Sequence, residues 1–189
     1  MTGDMTDEQR LFESASAQFS DVVASLRQDD WTRPTNCEVS VRELVEHVLA
    51  GNVFAVRLLA GADDAQSGID DIRVGSDPVD QVGHSLRAQA EAFVRADRDQ
   101  LLRHPSGEID VETFVRFRLG DLTIQAWDLA VAAGLDATLE PSLVAGLWGL
   151  VEPRLESMRA MGTYSTGASP DLDPDADVQT RLLDAFSRR

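Results

Sequence analysis

The stretch of residues 114–134, FVRFRLGDLTIQAWDLAVAAG, constrains the fold more than any other part of the chain. Its composition predicts a long and largely apolar helix, but Arg118, Asp121, Gln125 and Asp128 recur within it at spacings of three and four residues. Such spacings place side chains along one side of a helix. Because burying unpaired polar groups is costly, this line predicts either a ligand or metal site inside a bundle or an internal network that satisfies itself.

The length and charge of the chain narrow the classes of fold and partner. With 189 residues and 43% hydrophobic content, the chain can build one full core, so we expect a single domain over residues 1–189. The formal net charge of −16 argues against a nucleic-acid or membrane partner. All 17 basic residues are arginine, which excludes Schiff-base lysine chemistry and a Walker-type phosphate loop.

Cysteine usage and the N-terminus predict a cytoplasmic protein. The single cysteine, Cys37, cannot form an internal disulfide, and the segment MTGDMTDEQR lacks the basic and then apolar pattern of a signal peptide. No apolar run approaches the ~18 residues of a spanning helix. The bias toward Arg, Ala, Asp, Val and Gly indicates a GC-rich, actinobacterial genome.

Hydrophobic periodicity predicts helices along the whole chain and no strand. Four main helices are expected, followed by a helix with a kink at Pro153 and a short closing helix in VQTRLLDAFSRR. The predicted ranges are 7–26, 40–61, 77–103, a helix ending at residue 134, and 141–161. The predicted fold class is therefore all-α, a four-helix bundle with additional C-terminal helices.

Local signals predict where three of these helices begin or end. Ser40 and Glu43 fit a capping box, because each side chain can bond to the free backbone amide of the other. Asp77 followed by Pro78 is typical of a helix start. Gly134 is expected to cap the end of the long fourth helix.

Two segments carry a family resemblance. PTNCEVSVRELVEHVLAG is similar to the pattern PTxC…VRxLVxHVxxG, and RLGDLTIQAWDLAVAAG is similar to RxxDxxxHxWDLAxAxG. These patterns are those of actinobacterial metal-binding proteins related to mycothiol-dependent maleylpyruvate isomerase, within the wider DinB-like group. An HPSG turn before the fourth helix and RLL near the C-terminus also match, so the resemblance covers nearly the whole chain. It implies a DinB-like four-helix bundle.

The resemblance also implies a site for zinc or a similar divalent metal. The family holds its metal with a His on the second helix, an acidic residue on the fourth and a His one turn further on. The matching positions here are His47, Asp121 and Gln125. An amide oxygen is a weak ligand for zinc and suits calcium or magnesium better. Asp128, one turn beyond Gln125, either helps to complete the metal shell or bonds to a loop.

Two functions remain open from the sequence. By resemblance, a metal would lower the pKa of a small thiol such as mycothiol, whose thiolate would attack an electrophilic substrate in an isomerase or transferase reaction. The partners are then a small-molecule thiol or electrophile, and no catalytic side chain is assigned. Alternatively, Gln125 marks loss of the metal, Arg118 pairs with Asp121, and Gln125 bonds to Asp121 or His47. The chain is then a non-catalytic binding or interaction module, and a homodimer is compatible with either function.

The remaining candidate residues receive structural interpretations. His84 is expected on the surface of the third helix, and His104, before a proline in a turn, is expected in solvent. Cys37 is expected to be a buried small side chain and Trp127 a core residue. His47 lies at the edge of the apolar side of its helix, so we expect it to face other side chains rather than bulk water.

Overall fold

The computed structural model describes residues 7–156, 172, 173 and 175–188. Its described part is mostly helical, which confirms the all-α fold class. The chain divides into two compact units, Met1–Ala137 and Thr138–Arg189. The elements in chain order are α1 (Asp7–Ser25), α2 (Val41–Leu59), α3 (Pro78–Arg95), β1 (Leu101–His104), β2 (Gly107–Asp110), α4 (Val111–Ala133), α5 (Pro141–Val151) and α6 (Val178–Ala185).

The starts of α2 and α3 follow the predicted capping signals. The Ser40 side chain accepts a hydrogen bond from the backbone N–H of Glu43, and the Glu43 carboxylate accepts one from the Ser40 N–H at 2.7 Å. Asp77 caps α3 with its side chain, and Pro78 occupies the first helical position, where its missing N–H costs nothing. Both predicted helix starts are therefore confirmed.

A β-hairpin lies between α3 and α4, where the sequence predicted helix as far as residue 103. α3 ends at Arg95, and β1 pairs antiparallel with β2, with His104 opposite Gly107. Leu102 anchors the hairpin, since it is only 1% exposed. The predictions of a longer third helix and of no strand were both wrong, because strands of four residues are too short to show a clear period of two.

α2 and α4 run in opposite directions and share polar and aromatic contacts. Asn52 of α2 bonds to Arg118 of α4, and further along α2 Phe54 contacts Phe114, which precedes Arg118 by one turn. α3 reaches the same Phe114 through Phe93, with ring centroids 6.1 Å apart. α2, α3 and α4 therefore surround one layer of polar and aromatic side chains.

α4 places the predicted polar line inside the protein. Arg118, Gln125 and Asp128 are buried, and Asp121 is half-buried. The helix ends as predicted at Gly134, whose φ of 68° is a left-handed conformation that glycine adopts without strain. Most of the helix circumference is buried, which explains why its sequence is apolar nearly all round.

In the second unit, α5 ends at Val151 and a 3₁₀ turn, Glu152–Arg154, follows. Pro153 lacks a backbone N–H and cannot continue an α-helix, so the helix breaks near the predicted kink. The predicted continuation over residues 157–161 lies outside the described residues. α6 confirms the short closing helix.

Among the residues that the structure describes, no helix is both long enough and apolar enough to span a membrane.

Candidate functional site

Arg118 is the centre of the polar line on α4. It is only 5% exposed, and its guanidinium makes two hydrogen bonds. Nη1 donates to Oδ2 of Asp121 at 2.9 Å, and Nη2 donates to Oδ1 of Asn52 at 2.9 Å. Burying a cation costs free energy unless it is paired and hydrogen-bonded. Asp121 and Asn52 therefore make the buried position of Arg118 possible.

Asn52 and Ser85, which were not among the candidate residues predicted from the sequence, extend this network. Asn52 is fully buried, and its Nδ2 donates a 2.9 Å hydrogen bond to Oγ of Ser85 on α3. The Ser85 hydroxyl in turn donates to the carbonyl of Val82 at 2.8 Å. The available signal was the position of Asn52, one turn after Val48 on the apolar side of α2. A polar side chain there needs a buried partner.

Gly51 provides the space that the Arg118 side chain occupies. A Cβ added at Gly51 would lie 2.7 Å from Nη1 and 2.9 Å from Cζ of Arg118. Any larger residue would therefore push the guanidinium away from its partners. The adjacent residues Gly51 and Asn52 together determine where the positive charge lies.

Asp121 is surrounded by groups that carry or can carry positive charge. Burial raises the pKa of its carboxyl above the usual 3.8, while Arg118, His47 and His104 act in the opposite direction. The Asp121 side chain keeps 22% of its exposure. His47 is exposed, contrary to the expectation that it avoids bulk water, but it is close enough for its charge to act on Asp121. We call His47, Asn52, His104, Arg118 and Asp121 the Arg118 cluster.

The prediction of a solvated His104 was wrong. Its ring is half-buried and packs against Phe54, Phe114 and Phe117, with centroids 5.9, 5.8 and 5.8 Å away. Burial is the main cause that lowers the pKa of His104 below 6.5, although Asp121 opposes it. The signal that could have located this residue was the HPSG turn, which the family pattern also contains.

Gln125 lies one turn after Asp121 and is 9% exposed. Its Oε1 is buried and accepts no hydrogen bond from the described residues. The predicted self-satisfied network is therefore formed only in part within the described residues. Arg118 pairs with Asp121, but no bond joins Gln125 to Asp121 or His47.

Asp128 contacts the loop before α2, as one of its two interpretations predicted. It is fully buried, and the Cys37 thiol donates to its Oδ2 at 3.4 Å. Cys37 is half-buried rather than buried, and Trp127, which was expected in the core, is half-buried. The prediction for His84 is confirmed, since its side chain is 67% exposed.

The residues at the implied metal positions do not fit a zinc-like ion. Asp121 already pairs with Arg118, whose guanidinium would repel a cation beside it. Gln125 offers a neutral amide oxygen where an imidazole is expected. Over the described ranges, no group of three His, Cys, Asp or Glu side chains is arranged to hold a metal ion. The donor set therefore favours the ion pair over a bound metal.

The Arg118 cluster lies within the part of the chain that matches a family model. The family model for the mycothiol maleylpyruvate isomerase N-terminal domain matches residues 12–130, which include the whole cluster. Two uncharacterized proteins of Mycobacterium tuberculosis, from strains CDC 1551 and H37Rv, are each 28% identical over 130 residues. These alignments cover 68% of this chain and 69% of each relative. No solved structure matches the chain. Because the family model covers more than half of it, the chain belongs to the family of the mycothiol maleylpyruvate isomerase N-terminal domain.

Proposed function

We propose that this chain binds mycothiol, or a small thiol of similar chemistry, at the Arg118 cluster without a metal ion. The observation that carries the proposal is the ion pair between Arg118 and Asp121, which lies where the family resemblance implies a metal. The name of the family suggests the thiol. The chain would then be a metal-independent binding protein of the cytoplasm.

Two members of the Arg118 cluster are accessible to solvent. His47 is exposed, and Asp121 keeps 22% of its side-chain exposure. A thiol bound beside Asp121 would lie near the buried guanidinium of Arg118, and a nearby cation lowers the pKa of a thiol. The guanidinium can therefore supply part of the electrostatic effect that a metal would otherwise supply, and the Asp121 carboxylate reduces that effect.

Two buried atoms next to the ion pair have unused bonding capacity. Nε of Arg118 donates no hydrogen bond and Oε1 of Gln125 accepts none within the described residues. Each unpaired buried group costs about 1–3 kcal/mol. A thiol that also carries amide or hydroxyl groups offers both the acceptor that Arg118 needs and the donor that Gln125 needs.

Calorimetric titration with mycothiol tests the proposal directly. The protein is stripped of metal with a chelator and titrated with and without added zinc, and glutathione serves as the comparison thiol. We expect the same affinity in both conditions. Gln125→Leu should weaken binding about tenfold, because the loss of one buried hydrogen bond is worth about 1.4 kcal/mol.

A control substitution and the effect of zinc show whether mycothiol binds as proposed. His84→Ala, which removes the exposed histidine of α3, should leave mycothiol binding unchanged. Binding that requires zinc and disappears in His47→Ala would contradict the proposal and support a metal-activated thiol. Absence of binding of both mycothiol and glutathione under either condition would contradict the proposal that the chain binds a small thiol.

A further inference from the structure

We propose a second small-molecule site, a cavity beside the β-hairpin that binds an amine carrying one small apolar ring or chain. The cavity has a volume of about 190 Å³. Its walls come from the C-terminal part of α2, residues 62–67 and residues 103–105. Since an apolar cavity of about 150 Å³ accepts a benzene-sized molecule, this volume suits a single ring. The proposal does not depend on thiol binding at the Arg118 cluster.

The inner wall of the cavity is apolar and aromatic. Phe54, Leu58 and Ala65 line it and are 9%, 4% and 6% exposed. The His104 ring packs against Phe54 with centroids 5.9 Å apart and planes inclined at 60°. These side chains offer a hydrocarbon surface that water solvates poorly, so an apolar group gains free energy by replacing water there.

The outer wall carries more negative than positive charge. Asp63, Asp64 and Arg103 all line the cavity, and Arg103 and Asp63 lie 3.5 Å apart with side chains 84% and 94% exposed. Such an exposed pair is weak. The structure gives the Asp64 carboxylate no hydrogen bond or ion pair within the described residues. The free carboxylate favours an ammonium group, whereas a carboxylate ligand would meet two like charges.

His104 does not repel the ammonium group that the cavity is proposed to bind. The backbone N–H of Ser106 donates to Nδ1 of His104 at 3.2 Å, so Nδ1 carries the lone pair and Nε2 carries the proton of the neutral ring. Burial lowers the pKa of His104, which keeps the ring neutral at pH 7. An ammonium group is therefore not repelled, and the face of Phe54 can attract it further.

Benzylamine is the probe, because it combines one ring with an ammonium group. Its binding is followed by amide and histidine signals in heteronuclear NMR spectra of the whole chain, with benzoate and benzyl alcohol as comparisons. We expect the largest shifts at Phe54, Ala65 and His104, at millimolar concentrations that suit a ligand of about eight heavy atoms. Benzyl alcohol should bind more weakly, and benzoate should bind least.

Two charge variants and one control test whether benzylamine binds in this cavity through its ammonium group. Asp64→Asn should weaken benzylamine binding about threefold at low salt, and Arg103→Gln should strengthen it by a similar factor. Asp71→Asn, in the same connection but outside the cavity, should change nothing. Equal or tighter binding of benzoate, shifts centred elsewhere, or no shifts up to about 10 mM benzylamine would each overturn the proposal.

Discussion

A Cβ built on Gly51 would lie 2.7 Å from Nη1 of Arg118, so the buried cation occupies space that only glycine leaves free. This relationship joins two helices, since Gly51 belongs to α2 and Arg118 to α4. The site therefore requires a glycine in the middle of α2, although glycine within a helix lowers stability by about 0.5–1 kcal/mol relative to alanine.

Gly51→Ala is therefore expected to destabilise the fold by about 1–3 kcal/mol, because the added methyl group forces the guanidinium away from Asp121 and Asn52. Urea denaturation measures the change in free energy of unfolding. Gly149 of α5 is the control, since nothing lies within 4 Å of a Cβ added there. Gly149→Ala should stabilise slightly through helix propensity. Stabilisation by both substitutions would contradict the steric role of Gly51.

Gln89→Met is expected to stabilise the protein by about 1–3 kcal/mol. Gln89 is completely buried on α3, and neither Oε1 nor Nε2 makes a hydrogen bond within the described residues. Methionine has a similar shape without the polar atoms, so the cost of desolvation disappears. Asn52→Leu is the contrasting substitution, because Asn52 is equally buried but forms hydrogen bonds through both Oδ1 and Nδ2. This substitution should lower the free energy of unfolding. Destabilisation by Gln89→Met would show that the amide is bonded in solution.

The stability of the protein should depend on pH through His104. Its pKa is lowered in the folded state mainly by burial, so the unfolded chain binds the proton more readily. The resulting stability is fully present above pH 6.5 and is lost as the pH falls from 6.5 through the folded pKa. Urea denaturation at about pH 7.5 and about pH 5.5 should show a smaller decrease in His104→Gln than in the unmodified protein.

An NMR titration provides the direct check on His104. The midpoint of its ring signal should lie below 6.5. His84→Gln is the matched control for the denaturation experiment, because it removes a histidine whose side chain is 67% exposed rather than one packed against phenylalanine rings. A midpoint for His104 at or above 6.5 would show that its ring is not held in an apolar environment.

The contact between Cys37 and Asp128 should hold the loop before α2 against α4. Asp128→Ala is expected to destabilise the fold by at least about 1–3 kcal/mol, because it removes a buried, hydrogen-bonded carboxylate. A double-mutant cycle with Cys37→Ala, read by urea denaturation, isolates the contribution of the thiol. Perfect additivity of the two substitutions would show that the thiol and the carboxylate do not interact.

The helices could be predicted because residues close in the sequence determine where each helix ends and which of its faces is apolar. The Ser40 and Glu43 capping box, the Asp77 start and the Gly134 end each depend on residues within one turn. The hairpin could not be predicted in the same way, because its strands are short and Leu102 acquires its importance only through tertiary burial.

The candidate site was predictable along α4 but not across helices. Spacing placed Arg118, Asp121 and Gln125 on one side of the helix, and the Arg118–Asp121 pair formed as one alternative proposed. The roles of Asn52 and His104 depend on which residues of α2 and the hairpin face that side. Such pairings between distant segments cannot be read from the spacing of one helix.

The hairpin that carries His104 should open at a lower free energy than the helices around it. A two-stranded hairpin is marginally stable alone, so β1 and β2 depend on the burial of Leu102 and the packing of His104 against phenylalanine rings. Amide hydrogens of the hairpin should consequently exchange with solvent deuterium sooner than those at the centres of α2 and α4. Because Arg103 and His104 of β1 line the cavity, opening of the hairpin alone would expose it, and a bound ligand should slow the deuterium exchange of this segment first.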